Sequence, residues 1–116
     1  MPHIILEHTP NIKDKIIYPD FFKAMIDKMV ELKIIADANP VKCRFYLSND
    51  YYLADKEAFF IHTEISLLSG RDETKLKEMG AELKKIMHEF FTTSNQTNPD
   101  SFSLEVREIN KKLYYK

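Results

Sequence analysis

Apolar and polar residues alternate along this chain in an order that predicts six elements. Ile4 to His8 reads as a short strand, closed by the breaker stretch Thr9-Pro10-Asn11. Pro19 suits the first turn of a helix, where its missing N–H costs nothing. From there Phe22, Met25, Ile26, Met29, Val30 and Lys33 recur at helical spacing, with Lys23, Asp27, Lys28 and Glu31 on the other side. Asn39-Pro40 ends the connection. Val41 to Leu47 is a second strand, with Ser48-Asn49-Asp50 as its turn. Ala58 to Leu68 is the clearest strand: Phe59, Ile61, Thr63, Ile65 and Leu67 share one face, and Phe60, His62, Glu64 and Ser66 the other. Ser69-Gly70 breaks it, and Asp72-Glu73 bring negative charge to the start of a long helix. Its stripe is Leu76, Met79, Gly80, Leu83, Ile86, Met87, Phe90 and Phe91. Thr92 to Ser101 reads as a polar loop, Phe102 to Ile109 as the last strand, and Leu113-Tyr114-Tyr115 as an apolar tail.

The order β-α-β, then β-α-β again, predicts an α+β fold in one domain over residues 1–116. Duplicated β-α-β units form a four-stranded mixed sheet with both helices on one face. The second unit repeats the first weakly, with the Ala58 region standing where the Pro2 region stands. The other sheet face carries His3 and Ile5 with Phe59, Ile61 and Ile65, or their opposites. So apolar a face predicts cover by further copies of the chain, a homotrimer.

Composition narrows the class. Apolar residues make up 44% of the 116, enough for one real core. Charge balances to a net −1, which supplies no field for nucleic acid or an anionic membrane. The apolar runs are too short to span a bilayer, and the start has no signal-peptide pattern. The lone Cys43 excludes an intramolecular disulfide framework and suits a reducing compartment, so a cytoplasmic protein is expected. The four histidines show no metal-ligand spacing, and no GxGxxG, P-loop or GxSxG occurs, so neither metal nor cofactor is expected.

The chemistry gathers at the start. If Met1 is removed, Pro2 carries a free secondary amine on the first residue of a strand. A terminal amine titrates at about 7.7–8.0 and can act as a general base. With the two β-α-β units antiparallel, the start of strand one meets the end of strand three. That edge then gathers Pro2, Lys42, Arg44 and Arg71, with Arg107 close by. Positive neighbours and an apolar pocket lower the pKa of the amine. Arginine forks hold a carboxylate bidentately and stabilise a developing enolate. Such a site suits proton transfer beside a carbonyl. On the residues alone, Arg71 also reads as a solvated turn charge, and Lys42 and Arg107 as surface charges.

Taken together, Pro2-His3-Ile4-Ile5-Leu6-Glu7, Ala58-Phe59-Phe60-Ile61-His62, Ser69-Gly70-Arg71 and Ser103-Leu104-Glu105-Val106-Arg107-Glu108 resemble the 5-carboxymethyl-2-hydroxymuconate isomerase family, within the tautomerase superfamily. Leu113-Tyr114-Tyr115-Lys116 resembles the family's closing segment. The resemblance implies that the amine of Pro2 shuttles a proton between carbons of a dicarboxylate-type dienol, while arginines bind the carboxylates. Arg71 matches the family's Gly-Arg turn directly. The second carboxylate binder falls near the start of strand two, where Lys42 and Arg44 both stand open. The resemblance also implies a trimer whose sheets pack around a threefold axis. Other readings are a tautomerase of phenylpyruvate-like enols and a non-catalytic trimeric module for small carboxylates. A ferredoxin-like RNA-binding domain shares the element order but lacks a basic stripe and aromatic RNP pattern.

Overall fold

Period-two alternation along β1 (His3–His8) sends Ile4, Leu6 and His8 inward and leaves His3, Ile5 and Glu7 on the opposite side. The computed structural model describes residues 1–116. It places β1 beside β2 (Lys42–Leu47) and β3 (Ile61–Leu68), with β4 (Phe102–Ile109) outside β3, in the order β2-β1-β3-β4. Within each β-α-β unit the strands are parallel, and β1 meets β3 antiparallel. Helices α1 (Tyr18–Glu31) and α2 (Glu73–Phe90) pack on one face, as the two-unit reading predicts.

The core lies between that face and the helices. Ile4, Leu6, Ile61, Ile65 and Leu67 meet Phe21, Met25 and Met29 of α1 and Leu76, Met79, Leu83 and Met87 of α2. Burying each such side chain contributes about 1.5–3 kcal/mol relative to leaving it exposed. The inward stripe of α1 runs through Phe21 rather than Phe22, and Lys33 lies beyond the helix. Lys33 takes φ 59° and closes a Schellman motif, in which its N–H bonds the Val30 carbonyl and the Ile34 N–H bonds the Met29 carbonyl. Ile34 is thereby pinned in the core with its own carbonyl turned toward the sheet end. On α2, a Cβ at Gly80 would stand 3.4 Å from Val106, so the glycine lets the helix lie close on β4.

Three further expectations change. β3 begins at Ile61 rather than Ala58, because β1 ends at His8, before Thr9-Pro10, and leaves no regular partner; Phe60 bonds only Thr9. The expected loop at Thr92 to Ser101 holds a short helix, α3 (Thr92–Thr97), and a 3₁₀ turn at Pro99–Ser101. Its cap comes from far away in sequence, since the Asp14 carboxylate accepts the N–H groups of Thr93 and Ser94 and the Ser94 hydroxyl. Most consequential, the open sheet face is polar. The register puts His3, Glu7, Lys42, Arg44, Tyr46, His62, Glu64, Ser66, Ser103, Glu105 and Arg107 there, with Ile5, Leu68 and Ile109 as the apolar exceptions, while Ile61 and Ile65 face the helices. An apolar open face therefore gives no reason for assembly.

Candidate active site at the N-terminal sheet edge

Pro2 is buried, and its carbonyl accepts the Lys42 N–H at 3.0 Å, which extends the β1–β2 ladder to the residue before the strand. The start of the chain is therefore fixed at the centre of the sheet rather than frayed. The register then brings β2 at Lys42, β3 at Ser66 and β4 at Arg107 to the same edge. With Met1 in place, burial, and after it the charges of Lys42 and Lys116, lower the Met1 amine below its ordinary value of 8.0.

Arg71 reaches this edge from the helix side. It is exposed, yet its Nε–H donates to the Ile34 carbonyl at 3.1 Å and Nη1 to the Leu68 carbonyl at 3.0 Å. Those bonds tie the end of α1 to the turn after β3 and fix the guanidinium plane. The turn depends on Gly70, whose φ of 118° disfavours any side chain and whose missing Cβ leaves room for the Lys111 ammonium. Lys111 is thus a further cation beside Arg71.

Arg44 sits on the open face, half-buried, and belongs to a chain of side chains. Its Nε–H donates to the Tyr46 hydroxyl at 3.2 Å and Nη1 to His3 Nδ1 at 3.0 Å. His3 Nε2 meets the Tyr114 hydroxyl at 3.0 Å. Lys42 is exposed, with only a long 3.5 Å contact to the Pro40 carbonyl. Arg107 differs from the other two arginines, because Glu105 at 2.9 Å and Glu64 at 3.5 Å neutralise it. No carboxylate lies within salt-bridge distance of Lys42, Arg44, Arg71 or Lys111. Cationic groups without acidic partners around a buried chain start suit an anionic ligand. Cys43 faces the helices, and burial pushes its thiol up to about 11, so it is no nucleophile.

Comparison with known proteins decides the family. The family model described as 5-carboxymethyl-2-hydroxymuconate isomerase matches residues 2–116. The chain belongs to this family. It is accordingly an isomerase. The structure of a 5-carboxymethyl-2-hydroxymuconate isomerase from Deinococcus radiodurans superposes with a TM-score of 0.85 at 22% identity, covering 99% of this chain and 87% of that one. A 5-carboxymethyl-2-hydroxymuconate delta-isomerase gives 0.81 at 13% identity, covering 100% and 87%. A fused 4-OT symmetric trimer gives 0.69 at 15%, covering 95% and 87%. Among proteins with curated functions, no sequence matches the chain.

Within the 5-carboxymethyl-2-hydroxymuconate isomerase fold, Pro2, Lys42, Arg44 and Arg71 lie toward one sheet edge, as sequence reasoning expected. The contacts of His3, Tyr114 and Lys111 there were not anticipated. The signal for His3 was its position two residues before Ile5 on the open face, opposite Lys42 and diagonal to Arg44. Nothing in the sequence shows that the tail folds back far enough for Tyr114 to reach it.

Proposed function

We propose that the protein isomerises an unsaturated 2-hydroxy or 2-oxo dicarboxylate of the 5-carboxymethyl-2-hydroxymuconate kind, with the Pro2 amine as acid and base after Met1 is removed. The buried Pro2, locked to Lys42 at the centre of the sheet edge, carries this reading. A neutral secondary amine there takes the 2-hydroxyl proton of the dienol. The electron pair moves along the conjugated chain, and the protonated amine returns a proton at carbon to give the ketone. Arg71, with Arg44 or Lys42, holds the carboxylates and stabilises the dienolate between the two transfers. Burial of Pro2 and the neighbouring Lys42 favour the neutral form of that amine at working pH.

The proposal includes a homotrimer. Its support is no longer an apolar sheet face but the two sheet edges. β2 exposes Tyr46, Leu47 and the following Tyr52, while a groove of Leu76, Gly80, Ala81, Leu104 and Val106 runs beside the free edge of β4. Two unlike edges on one molecule suit a head-to-tail ring, and one structural neighbour is described as a symmetric trimer.

The test compares Met1-retained with Met1-cleaved protein, verified by intact mass, on 2-hydroxymuconate and phenylpyruvate enols. Activity confined to the cleaved form and to the dicarboxylate is expected. Equal rates from both forms would remove the amine. Preference for the phenylpyruvate enol would replace the substrate class, and binding of carboxylates without turnover by cleaved protein would leave a non-catalytic module.

A further inference from the structure

The side chains of Tyr46, Arg44, His3 and Tyr114 form one continuous hydrogen-bonded row across the open face, from β2 through β1 to the C-terminal tail. The row has only one consistent proton arrangement at its centre. Arginine has no acceptor, so the 3.0 Å contact between Arg44 Nη1 and His3 Nδ1 requires a bare Nδ1. The neutral ring then carries its proton on Nε2 and donates it to the Tyr114 hydroxyl at 3.0 Å. Arg44 is thus held at Nε and Nη1 by Tyr46 and His3, with neither bond to a carboxylate. Its charge remains uncompensated, and its remaining N–H groups are free for a ligand.

We propose that His3 is a positioning residue: as the Nε2-protonated tautomer it fixes the Arg44 fork for a substrate carboxylate and fastens the Tyr114 tail beside it. This deepens the function proposed above and rests on Arg44 as a carboxylate binder. It also selects Arg44 over Lys42 for that role, since Lys42 is exposed and has no side chain to orient it. A point charge on a flexible stem holds a carboxylate less directionally than a fixed fork.

Protonation of His3 would put a second N–H against Arg44 and break the row. The groups around the ring oppose that step. Arg44 and Lys42 face it from β2, and the Met1 amine from the residues just before its own strand. Tyr114 meets it from the tail, and from β3 it faces Ser66. Glu64, the nearest carboxylate on β3 by register, is engaged by Ser66 and Arg107. Burial first, then Arg44, the terminal amine and Lys42, accordingly hold the His3 ring below its ordinary value of 6.5. The row therefore persists through neutrality and opens only in acid, as pH falls through that lowered value.

Two measurements test the proposal, and only one depends on turnover. Nitrogen-15 NMR of histidine-labelled protein, with His3 assigned by its loss in His3→Asn, should show a bare Nδ1 and a protonated Nε2 at pH 7.5. A protonated Nδ1 would overturn the proposal whatever the enzyme does. In kinetics with the dicarboxylate, His3→Leu should raise KM about tenfold, the scale of one charge-assisted hydrogen bond, with kcat within about twofold. His3→Asn, whose amide oxygen can replace Nδ1 toward Arg44, should recover most of that loss and abolish the acid-side rise in KM. Equal KM in His3→Leu and wild type would sink the positioning role, provided Arg44→Ala raises KM. If Arg44→Ala leaves KM unchanged, the reading of Arg44 as a carboxylate binder fails instead, while the tautomer result stands separately.

Discussion

The Lys42 amide donates to the Pro2 carbonyl at 3.0 Å, so the residue that precedes β1 is already part of the sheet. This bond holds the start of the chain still. With Met1 removed, kcat/KM should rise with pH and level off, following loss of one proton from the amine. Burial of Pro2 and the charge of the adjoining Lys42 should lower the pKa of that amine, so the rising limb should lie below the ordinary terminal-amine value of about 8. A pH–rate profile with its midpoint above that value would contradict the placement of Lys42 as a neighbouring charge.

Arg71→Ala should act on both activity and stability. Loss of its pairing with the substrate should cost about 1.5–3 kcal/mol of transition-state binding, roughly ten- to a hundred-fold in kcat/KM. Loss of its bonds to the Ile34 and Leu68 carbonyls should also lower unfolding free energy by about 1 kcal/mol, discounted because the side chain is exposed. Arg71→Lys keeps the charge without the fork and should recover less than half of the kinetic loss. Unchanged kinetics for Arg71→Ala on an active substrate would return this residue to a purely structural clamp.

Thr63 offers a stabilising substitution. Its hydroxyl is fully buried on the helix side of β3, between Leu6 and Leu104, with no hydrogen-bond partner. Thr63→Val keeps the β-branched shape and removes an unpaired polar group, so it should raise stability by about 1 kcal/mol. Urea unfolding checks this, and a lower midpoint at unchanged slope would show that the hydroxyl has a partner in solution.

Asp14 should govern α3. Without its carboxylate the N–H groups of Thr93 and Ser94 have no cap, and Asp14→Ala should cost about 1–2 kcal/mol. Hydrogen exchange at those two amides should speed up far more than in α2. Equal protection in both proteins would mean that α3 is held by its neighbours alone.

The elements were readable because their periods are strong: the Leu76-to-Phe90 stripe and the Ile61-to-Leu67 alternation each admit one secondary structure. Topology followed from two short β-α-β units. The sheet faces did not follow, because alternation tells which residues share a side but not which side the helices cover. Ile61 and Ile65 went inward with Ile4 and Leu6, and the face left over was polar. The short helix at Thr92–Thr97 escaped for another reason: its cap, Asp14, is remote in sequence. At the site, strand register was enough to gather Pro2, Lys42, Arg44 and Arg71. The His3–Tyr114 contact needs the path of the tail, which no local pattern encodes.

The uneven treatment of the three arginines has a consequence for how ligand arrives. The whole chain carries a net charge of only −1, yet two carboxylates cancel Arg107 while Arg44 and Arg71 remain uncancelled at the edge that holds Pro2. Toward a dianion the molecule is therefore a directional attractor rather than a neutral sphere, and encounter is biased to one end. That attraction acts through water and is screened over about 8–10 Å at physiological ionic strength, so added salt should slow capture at low substrate. Turnover at saturation should scarcely change, since on the proposed reading carboxylates once bound would already sit against their forks.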